Sequence, residues 1–203
     1  KLAIKESQYV LEIGTGSGLL SMMAIDEGAD KVITCEINSS IYEIVKKIIS
    51  KNGYQGKIEV INKKSTELTI GNQLSEKADV IISEIFSSEF VGEGVQSSIL
   101  DAKNRLLKHN GKLIPESGEI KFALLKSNSE IDTQCYIDKV NGYDLSDFNQ
   151  ITGNKFLLNT KDSNISFLSN ENIAFSFNFY SKEINKKERI IEIPIVQDGT
   201  CLG

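Results

Sequence analysis

The sequence predicts an α/β protein in which a doubly wound parallel sheet is followed by an antiparallel β region. Two observations predict the parallel sheet: a glycine-rich turn directly follows an apolar strand, and four apolar strands alternate with helix-like segments. A third observation predicts the β region, because after Pro115 the long helical patterns give way to short stretches of alternating apolar residues. We therefore place one domain at 1–115 and a second at 116–203.

The composition is typical of a soluble globular protein, with 40% hydrophobic and 25% charged residues in a chain of 203. A net charge of −5 argues against general binding to nucleic acid or to a membrane surface. No apolar run approaches the roughly 20 residues of a membrane span, and no signal peptide is recognisable. Cys35, Cys135 and Cys201 are far apart. They favour a reducing cytoplasm over a disulfide scaffold or a zinc site.

The first strand, Val10–Ile13, leads into a turn with glycines at every second position, Gly14, Gly16 and Gly18, before a helix starts at Leu19. This order of elements is typical of a nucleotide-binding crevice, since glycines allow a tight turn and let a ligand lie against bare backbone. The GxGxG spacing differs from the GxGxxG of dinucleotide sites. A plain βα turn therefore remains an alternative on this motif alone.

The first helix is predicted from Leu19 to about Glu27, with Gly28 as its C′ residue. The second strand, Lys31–Glu36, places Glu36 twenty residues beyond Gly16. A carboxylate at this place can accept hydrogen bonds from both hydroxyls of a ribose. The alternative is a solvated acid at the end of a strand.

The second helix is predicted to be capped by Ser39 or Ser40 and to end at Asn52–Gly53. A third strand, Ile58–Asn62, leads to residues 63–67, where we expect an adenine to lie. The apolar residues of the second helix fall on one face: Ile41, Ile44, Val45, Ile48 and Ile49.

The fourth strand is predicted over Ala78–Glu84, and a helix from about Gln96 to Leu107 follows it. A turn at Asn110–Gly111 then leads to a short strand that ends at Pro115. Beyond this point, alternating apolar residues predict strands at Glu119–Leu125, Ile165–Leu168, Ile173–Tyr180 and Arg189–Ile195.

Two glutamates, Glu84 and Glu93, stand nine residues apart at the ends of a loop after the fourth strand. We expect this loop beside the crevice, because the fourth strand neighbours the first in this topology. Two carboxylates that face one pocket repel each other unless a cation lies between them. A planar guanidinium is a well-matched cation, and such a clamp directs one terminal nitrogen at an electrophile in the crevice.

Other roles for these carboxylates are less well supported. A divalent metal site lacks nearby His or Asp partners, and we expect no metal. A glycosidase acid/base pair has no use for a glycine turn with a ribose-binding acid. The remaining alternative is a pair of surface acids, since Glu89 stands in the same loop.

Several segments resemble the protein arginine methyltransferases, which use S-adenosylmethionine, and they are most similar to the monomethylating, type III branch. They run in family order, and the loop with two glutamates is the most specific of them. The segments are VLEIGTGSGLLSMMA (Val10–Ala24), NKKSTEL (Asn62–Leu68), SEIFSSEFVGEG (Ser83–Gly94), LLKHNGKLIP (Leu106–Pro115) and VNGYDLSDFNQI (Val140–Ile151).

The resemblance implies a Rossmann-like methyltransferase sheet followed by a β-barrel-like substrate domain. It implies that S-adenosyl-L-methionine is the cofactor, that Glu36 binds its ribose, and that Glu84 and Glu93 are catalytic and hold the arginine of a protein or peptide. The other implied cofactor-binding residues are Glu12, Gly14, Thr15, Gly16, Gly18, Ser65 and Thr66.

The chain departs from the family pattern in three ways. Many members have an adenine-contacting glutamate about where Thr66 stands, and here Glu67 is displaced by one position. The helices that precede the first strand are absent from the sequence, and a Thr-His-Trp-type segment is expected beyond residue 203, so we expect the β domain to be incomplete. His109 is expected to be a surface residue near a helix end rather than a substitute for that histidine. The dimerisation arm would fall at 152–164, which is short, and a homodimer is left open.

Two alternative functions remain at this point. The same clamp would serve a methyltransferase of a small guanidino or amino metabolite. The fold could also form a catalytically inert module, although the glycines and the acids of both motifs are all present: Gly14, Gly16, Gly18, Glu36, Glu84 and Glu93.

Overall fold

The structure is a computed structural model, which describes residues 4–6, 8–87, 90, 92–127, 139–147, 165–181 and 188–201; of Glu93 it describes the backbone only. The chain divides into two compact units. The first comprises Lys1–Ile120 and Ser176–Glu188, and the second comprises Lys121–Phe175 and Arg189–Gly203. The predicted domain boundary near Pro115 stays a prediction.

The first unit contains a five-stranded parallel sheet with the strand order β3-β2-β1-β4-β5. The central strand β1 is buried along its whole length, as expected for a parallel strand covered on both faces. This order confirms the predicted doubly wound α/β class and places β1 between β2 and β4. The strands are β1 (Tyr9–Ile13), β2 (Lys31–Cys35), β3 (Ile58–Ile61), β4 (Ala78–Ser83) and β5 (Leu107–Ile114).

Three helices cover the two faces of this sheet: α1 (Leu19–Asp26), α2 (Ser39–Lys51) and α3 (Val95–Leu106). Successive strand residues point to opposite faces, so β1 contributes to two separate cores. Val10 packs in one core with α1 and α2, whereas Leu11 packs in the other with α3.

The ends of α1 and α2 show which capping predictions hold. Gly28 has a φ of 110°, and the amides after α1 bond back to Ile25 and Ala24, which confirms Gly28 as the C′ residue. The cap of α2 is Asn38, not Ser39 or Ser40. Its side-chain oxygen accepts from the backbone N–H of Ser40 (2.9 Å) and Ile41 (3.3 Å), because an Asn carbonyl one residue earlier reaches the free amides of the first turn.

The apolar face predicted for α2 is only partly buried. Val45 and Ile49 lie in the core, whereas Ile41 and Ile44 are exposed. The periodicity therefore located the helix correctly but overstated the width of its buried face.

The segment after α3 differs from the prediction of a turn. The strand β5 begins directly at Leu107, and its register against β4 is irregular, since Ala78 pairs with Leu107 but Val80 pairs with Lys112. A Cβ at Gly111 would lie 2.6 Å from the Leu107 side chain, so the irregular segment needs a residue without a side chain. His109 is exposed, as predicted, but it lies in this strand rather than in a turn.

In the described part of the chain, six short strands follow the parallel sheet and form two-stranded sheets, which confirms the predicted antiparallel region. The pair β7–β10 and the pair β8–β9 are antiparallel, and β6 pairs with β11. A strand at Arg189–Ile195 was predicted wrongly: this segment has one isolated bridge, between Ser169 and Ile195. The strands are β6 (Ser117–Phe122), β7 (Leu125–Ser127), β8 (Lys139–Val140), β9 (Tyr143–Asp144), β10 (Ile165–Phe167) and β11 (Asn172–Asn178).

Among the described residues, no helix is long and apolar enough to cross a membrane. Cys135 and the arm segment at 152–164 lie outside the described residues. The predictions made for them stay predictions.

Candidate functional site

A cavity of about 580 Å³ opens at the carboxyl ends of β1, β2 and β4 in the first unit. This is the edge at which doubly wound sheets bind ligands, and the volume is in the range of small-molecule sites. Six residues predicted from the sequence line it: Gly14, Gly16, Glu36, Ser65, Thr66 and Glu84. Lys63 and Lys64, from the segment expected beside an adenine, also line it, and the remaining lining residues were not identified from the sequence: Ile13, Cys35, Ile37, Ile85, Phe86, Gly94, Ser97 and Ser98.

The glycine turn forms the floor of this cavity. Gly14, Gly16 and Gly18 all have positive φ values, 83°, 51° and 79°, which side chains other than glycine rarely adopt. A Cβ at Gly14 would lie 2.5 Å from Ile85, so this glycine lets the segment after β4 approach the turn. A Cβ at Gly16 would meet no atom within 4 Å. Because Gly16 lines the cavity, a side chain at this position would occupy part of the cavity.

Glu36 follows β2 and holds its carboxylate at the cavity. Its Oε2 accepts from the backbone N–H of Gly16 at 3.3 Å, and its Oε1 accepts from that of Asn38 at 2.9 Å. The Asn62 side chain donates to the Glu36 carbonyl oxygen at 2.7 Å. A carboxylate has about four acceptor positions, so about two remain for hydroxyl groups of a ligand.

Three predicted cofactor-binding residues do not line the cavity: Glu12, Thr15 and Gly18. The Thr15 hydroxyl bonds to that of Thr34 at 2.7 Å, and a Cβ at Gly18 would lie 2.8 Å from Val45. The contacts of these residues are with the strands and helices around the turn, so they stabilise the conformation of the turn rather than border the cavity.

Glu12 is buried and accepts a hydrogen bond from the Ser21 hydroxyl. The pKa of this carboxyl is raised from 4.5 to about 7, mainly by burial and also by the nearby Glu36, while the hydrogen bonds from Ser21 and Thr34 act in the lowering direction. The side chain therefore exchanges its proton near neutral pH.

The wall after β3 is a short 3₁₀ turn over Ser65–Glu67, in which Ser65 is buried and Thr66 is exposed. The Glu67 carboxylate accepts from the Lys64 amide at 3.4 Å, and Glu67 is not among the lining residues. Glu67, the glutamate that is displaced by one position from the family pattern, therefore caps the 3₁₀ turn to which it belongs.

Arg105 of α3 anchors this wall, and sequence reasoning did not identify it. Its guanidinium donates to the carbonyl oxygens of Leu68 (2.8 Å) and Ser65 (3.2 Å) and forms an ion pair with Asp101. The four-residue spacing of Asp101 and Arg105 predicts the ion pair but not its contact with the distant turn.

The structure brings one of the two predicted catalytic glutamates to the cavity. Glu84 directly follows β4, is exposed and lines the cavity beside Ile85. The backbone of Glu93 lies in a 3₁₀ turn over Gly92–Gly94, and its side chain is outside the described part of the chain, as are Ser88, Glu89 and Val91. Gly94 lines the same cavity, so the loop starts and ends there.

Among the described residues, no group of three or more His, Cys, Asp or Glu side chains could hold a metal ion. The residues present do fit a nucleoside cofactor. Gly16 leaves space that a side chain would fill, and Glu36 offers a fixed carboxylate suited to a ribose.

Comparisons with known proteins agree with this geometry. Residues 2–123 match the family model described as ribosomal protein L11 methyltransferase (PrmA). Protein arginine N-methyltransferase 7 of Cricetulus longicaudatus is 40% identical over 124 residues, which is 60% of this chain and 18% of that protein. Arginine N(omega)-methyltransferase of Streptomyces achromogenes subsp. streptozoticus is 33% identical over 191 residues, or 94% of this chain and 53% of that one.

Solved structures are similar as well. A chain of the Trypanosoma brucei PRMT1 enzyme-prozyme heterotetrameric complex with AdoHcy has a TM-score of 0.71 and 25% identity, covering 89% of this chain and 55% of that chain. Arabidopsis thaliana protein arginine methyltransferase 10 has a TM-score of 0.64 and 21% identity, covering 87% and 55%, and shows the same fold.

The chain thus spans about half the length of the Streptomyces relative and about a fifth of the Cricetulus protein. The match to the family model ends at residue 123, whereas the likeness to the Streptomyces arginine methyltransferase extends over nearly the whole chain. The chain belongs to the methyltransferases, as the family model over residues 2–123 shows, and its similar relatives include arginine N-methyltransferases.

Proposed function

We propose that the protein transfers a methyl group from S-adenosyl-L-methionine to a guanidino nitrogen of arginine. One observation supports this proposal above the others. Glu84, at the end of β4, lines the same cavity as Gly16 and Glu36, so an acid suited to a guanidinium adjoins a cradle suited to a nucleoside.

Three groups of residues would hold the cofactor. Glu36 would accept hydrogen bonds from the ribose hydroxyls, Ser65 and Thr66 would border the adenine, and the turn at Gly14 and Gly16 would contact the rest of the molecule with bare backbone. When bound, S-adenosylmethionine would supply a methyl group on a positively charged sulfur: a nitrogen would attack the methyl carbon in line, and the sulfur would leave as the neutral thioether of S-adenosylhomocysteine.

Glu84 and Glu93 would hold the guanidinium of the substrate through charge-assisted hydrogen bonds. Their charge draws the positive charge of the guanidinium toward the bonded nitrogens. The remaining terminal nitrogen is then more nucleophilic and faces the cavity. Fixing that nitrogen beside the methyl group lowers the entropic part of the barrier. The proton can leave late, so no strong general base is required.

The substrate class has two candidates. The relatives named protein arginine N-methyltransferase favour an arginine within a protein or peptide, which is our first proposal. The relative that covers 94% of this chain is named arginine N(omega)-methyltransferase, and its name favours a free guanidino metabolite as the second.

Methyl transfer from radiolabelled S-adenosylmethionine distinguishes these candidates. We expect the complete protein to label an arginine-rich peptide faster than free arginine, and a matched peptide with lysine in place of arginine to remain unlabelled. Faster labelling of free arginine would favour the metabolite enzyme. A folded protein that fails to bind the cofactor in calorimetry would instead be an inert module, and the proposed activity would be wrong.

Other parts of the proposal concern the product and the assembly. We propose a monomethylated product, following the branch that the sequence resembles, and mass spectrometry of the labelled peptide distinguishes it from a dimethylated one. The absence of nucleic-acid binding and a cytoplasmic location stay predictions, and the homodimer stays open.

A further inference from the structure

The loop between Glu84 and Glu93 contains two aromatic side chains whose placement is unusual. Phe86 and Phe90 stack face to face, with ring centroids 4.8 Å apart and an interplanar angle of 5°. Phe90 has a φ of 64°, which is uncommon for a bulky residue and persists only where the surroundings hold it. The backbone conformation of Phe90 is therefore held in place by contacts of this pair.

The contacts come from the same compact unit. The Phe90 ring lies 5.3 Å from that of Phe177 and 6.0 Å from that of Phe179, and Phe86 lies 5.9 Å from Phe179. A Cβ at Gly118 would lie 2.0 Å from the Phe90 ring, so the ring occupies the place of the missing side chain. We call these residues, Phe86, Phe90, Gly118, Phe177 and Phe179, the aromatic clamp.

Hydrogen bonds from two backbone amides to Ser87 join the two limbs of the loop next to the aromatic clamp. The Phe90 N–H donates to the Ser87 carbonyl oxygen at 2.8 Å, and the Gly92 N–H donates to the Ser87 hydroxyl at 3.0 Å. Phe86 comes two residues after Glu84, and Phe90 comes three residues before Glu93. The stack therefore joins two residues, Phe86 and Phe90, that each lie close along the chain to one of the glutamates.

We propose that Phe90 is a positioning residue for the substrate: its ring, seated over Gly118 and stacked on Phe86, sets where the loop presents Glu84 and Glu93. This inference rests on the proposed function, because it concerns the acids that hold the guanidinium. Phe90 acts through the loop, and no contact of it with the substrate is required. A shift of about 1 Å in such a group costs on the order of 100-fold in rate.

The Gly118→Ala substitution tests the aromatic clamp without changing any residue of the loop between Glu84 and Glu93. Its added Cβ must displace the Phe90 ring, and the backbone of Gly118 lies outside the left-handed region, so alanine adds no strain there. We expect kcat/KM for an arginine peptide to fall on the order of 100-fold, through both kcat and KM. The affinity for S-adenosylhomocysteine should stay within about twofold of wild type, because the residues proposed to hold the cofactor lie outside the loop and the new Cβ collides with Phe90, not with Phe86, which lines the cavity.

Two variants sharpen the test. Gly56→Ala is the matched control, since a Cβ at this glycine meets nothing within 4 Å, and it should leave all readouts unchanged. In the Gly118→Ala background, Phe90→Leu removes the ring atoms that collide with the new methyl group. We expect this pair to recover part of the lost kcat/KM, whereas additive losses would contradict the proposal.

Hydrogen exchange provides a readout that does not depend on activity. We expect the amides of Phe90 and Gly92 to exchange faster in Gly118→Ala than in wild type, with the melting temperature nearly unchanged. Unchanged exchange of these two amides in Gly118→Ala would contradict the role of the aromatic clamp. A variant whose melting temperature, cofactor affinity and activity all fall together would also contradict it. If the wild-type protein methylates no arginine, the proposed function fails, but the exchange experiment still decides whether the clamp holds the loop.

Discussion

Glu36 is the residue on which the cofactor proposal depends most. Its carboxylate is held by the amides of Gly16 and Asn38, so its orientation is fixed before a ligand arrives. Because each charge-assisted hydrogen bond contributes about 1.5–3 kcal/mol, we expect Glu36→Gln to weaken S-adenosylmethionine binding by at least about tenfold in calorimetry. The exposed Glu59→Gln is the control, and equal affinity of both variants would contradict the ribose role.

Glu12 makes stability depend on pH. Since burial raises the pKa of this carboxyl from 4.5 to about 7, the folded protein binds an additional proton between these values that the unfolded chain does not bind. The contribution to the free energy of unfolding is fully present below pH 4.5 and is lost as the pH rises through 7.

We therefore expect wild type to lose on the order of 3 kcal/mol relative to Glu12→Gln between pH 4 and pH 8. Urea unfolding of both proteins without cofactor measures this difference. Parallel pH profiles for wild type and Glu12→Gln would show that Glu12 titrates normally.

Single residues show where the sequence was sufficient for a prediction and where it was not. Glu36 could be predicted, because its spacing from the glycine turn follows from the topology of the first two strands. Arg105 could not, because its partners Leu68 and Ser65 are distant along the chain and are carbonyl groups, which leave no pattern in the sequence. Glu12 was assigned to the cofactor through the family resemblance; its side chain is buried and does not line the cavity, and its cofactor role stays a prediction.

The glycine turn between β1 and α1 is the element that we propose admits the cofactor. Gly16 and Gly53 both have positive φ values and open space at the Cβ position, but only Gly16 lines the cavity. Leucine at either position has the same backbone strain. We expect Gly16→Leu to abolish detectable S-adenosylmethionine binding, whereas Gly53→Leu binds normally at a similarly lowered melting temperature. Calorimetry with both variants measures the affinity. Loss of binding in both variants would mean that backbone strain, rather than a leucine side chain in the cavity, is the cause.

The parallel strands and helices could be predicted to within one or two residues at most ends, since buried parallel strands are short apolar runs flanked by glycine or caps. The segment at Leu107–Ile114 could not. Asn110–Gly111 is typical of a turn, but here Gly111 serves the irregular register against β4, which depends on tertiary packing.

At the scale of the whole molecule, the first part of the chain was more predictable than the second. Its core follows from local patterns, whereas the antiparallel strands are short and their pairing joins distant residues. Alternation predicted β11, but it could not indicate that Phe179 packs in the core of the first unit. The described structure and the relatives agree on an arginine methyltransferase fold over about half of the Streptomyces relative's length.

The central claim is that Glu84 and Glu93 hold the arginine that accepts the methyl group. Single-turnover transfer from saturating radiolabelled S-adenosylmethionine to an arginine peptide tests it most directly, in wild type, Glu84→Gln, Glu93→Gln and the exposed control Glu59→Gln. Because each glutamate stabilises charge at the reacting group, we predict a loss on the order of 100-fold in each loop variant, with cofactor affinity near that of wild type. Transfer at the wild-type rate in Glu84→Gln, or cofactor binding lost in step with transfer, would contradict the account.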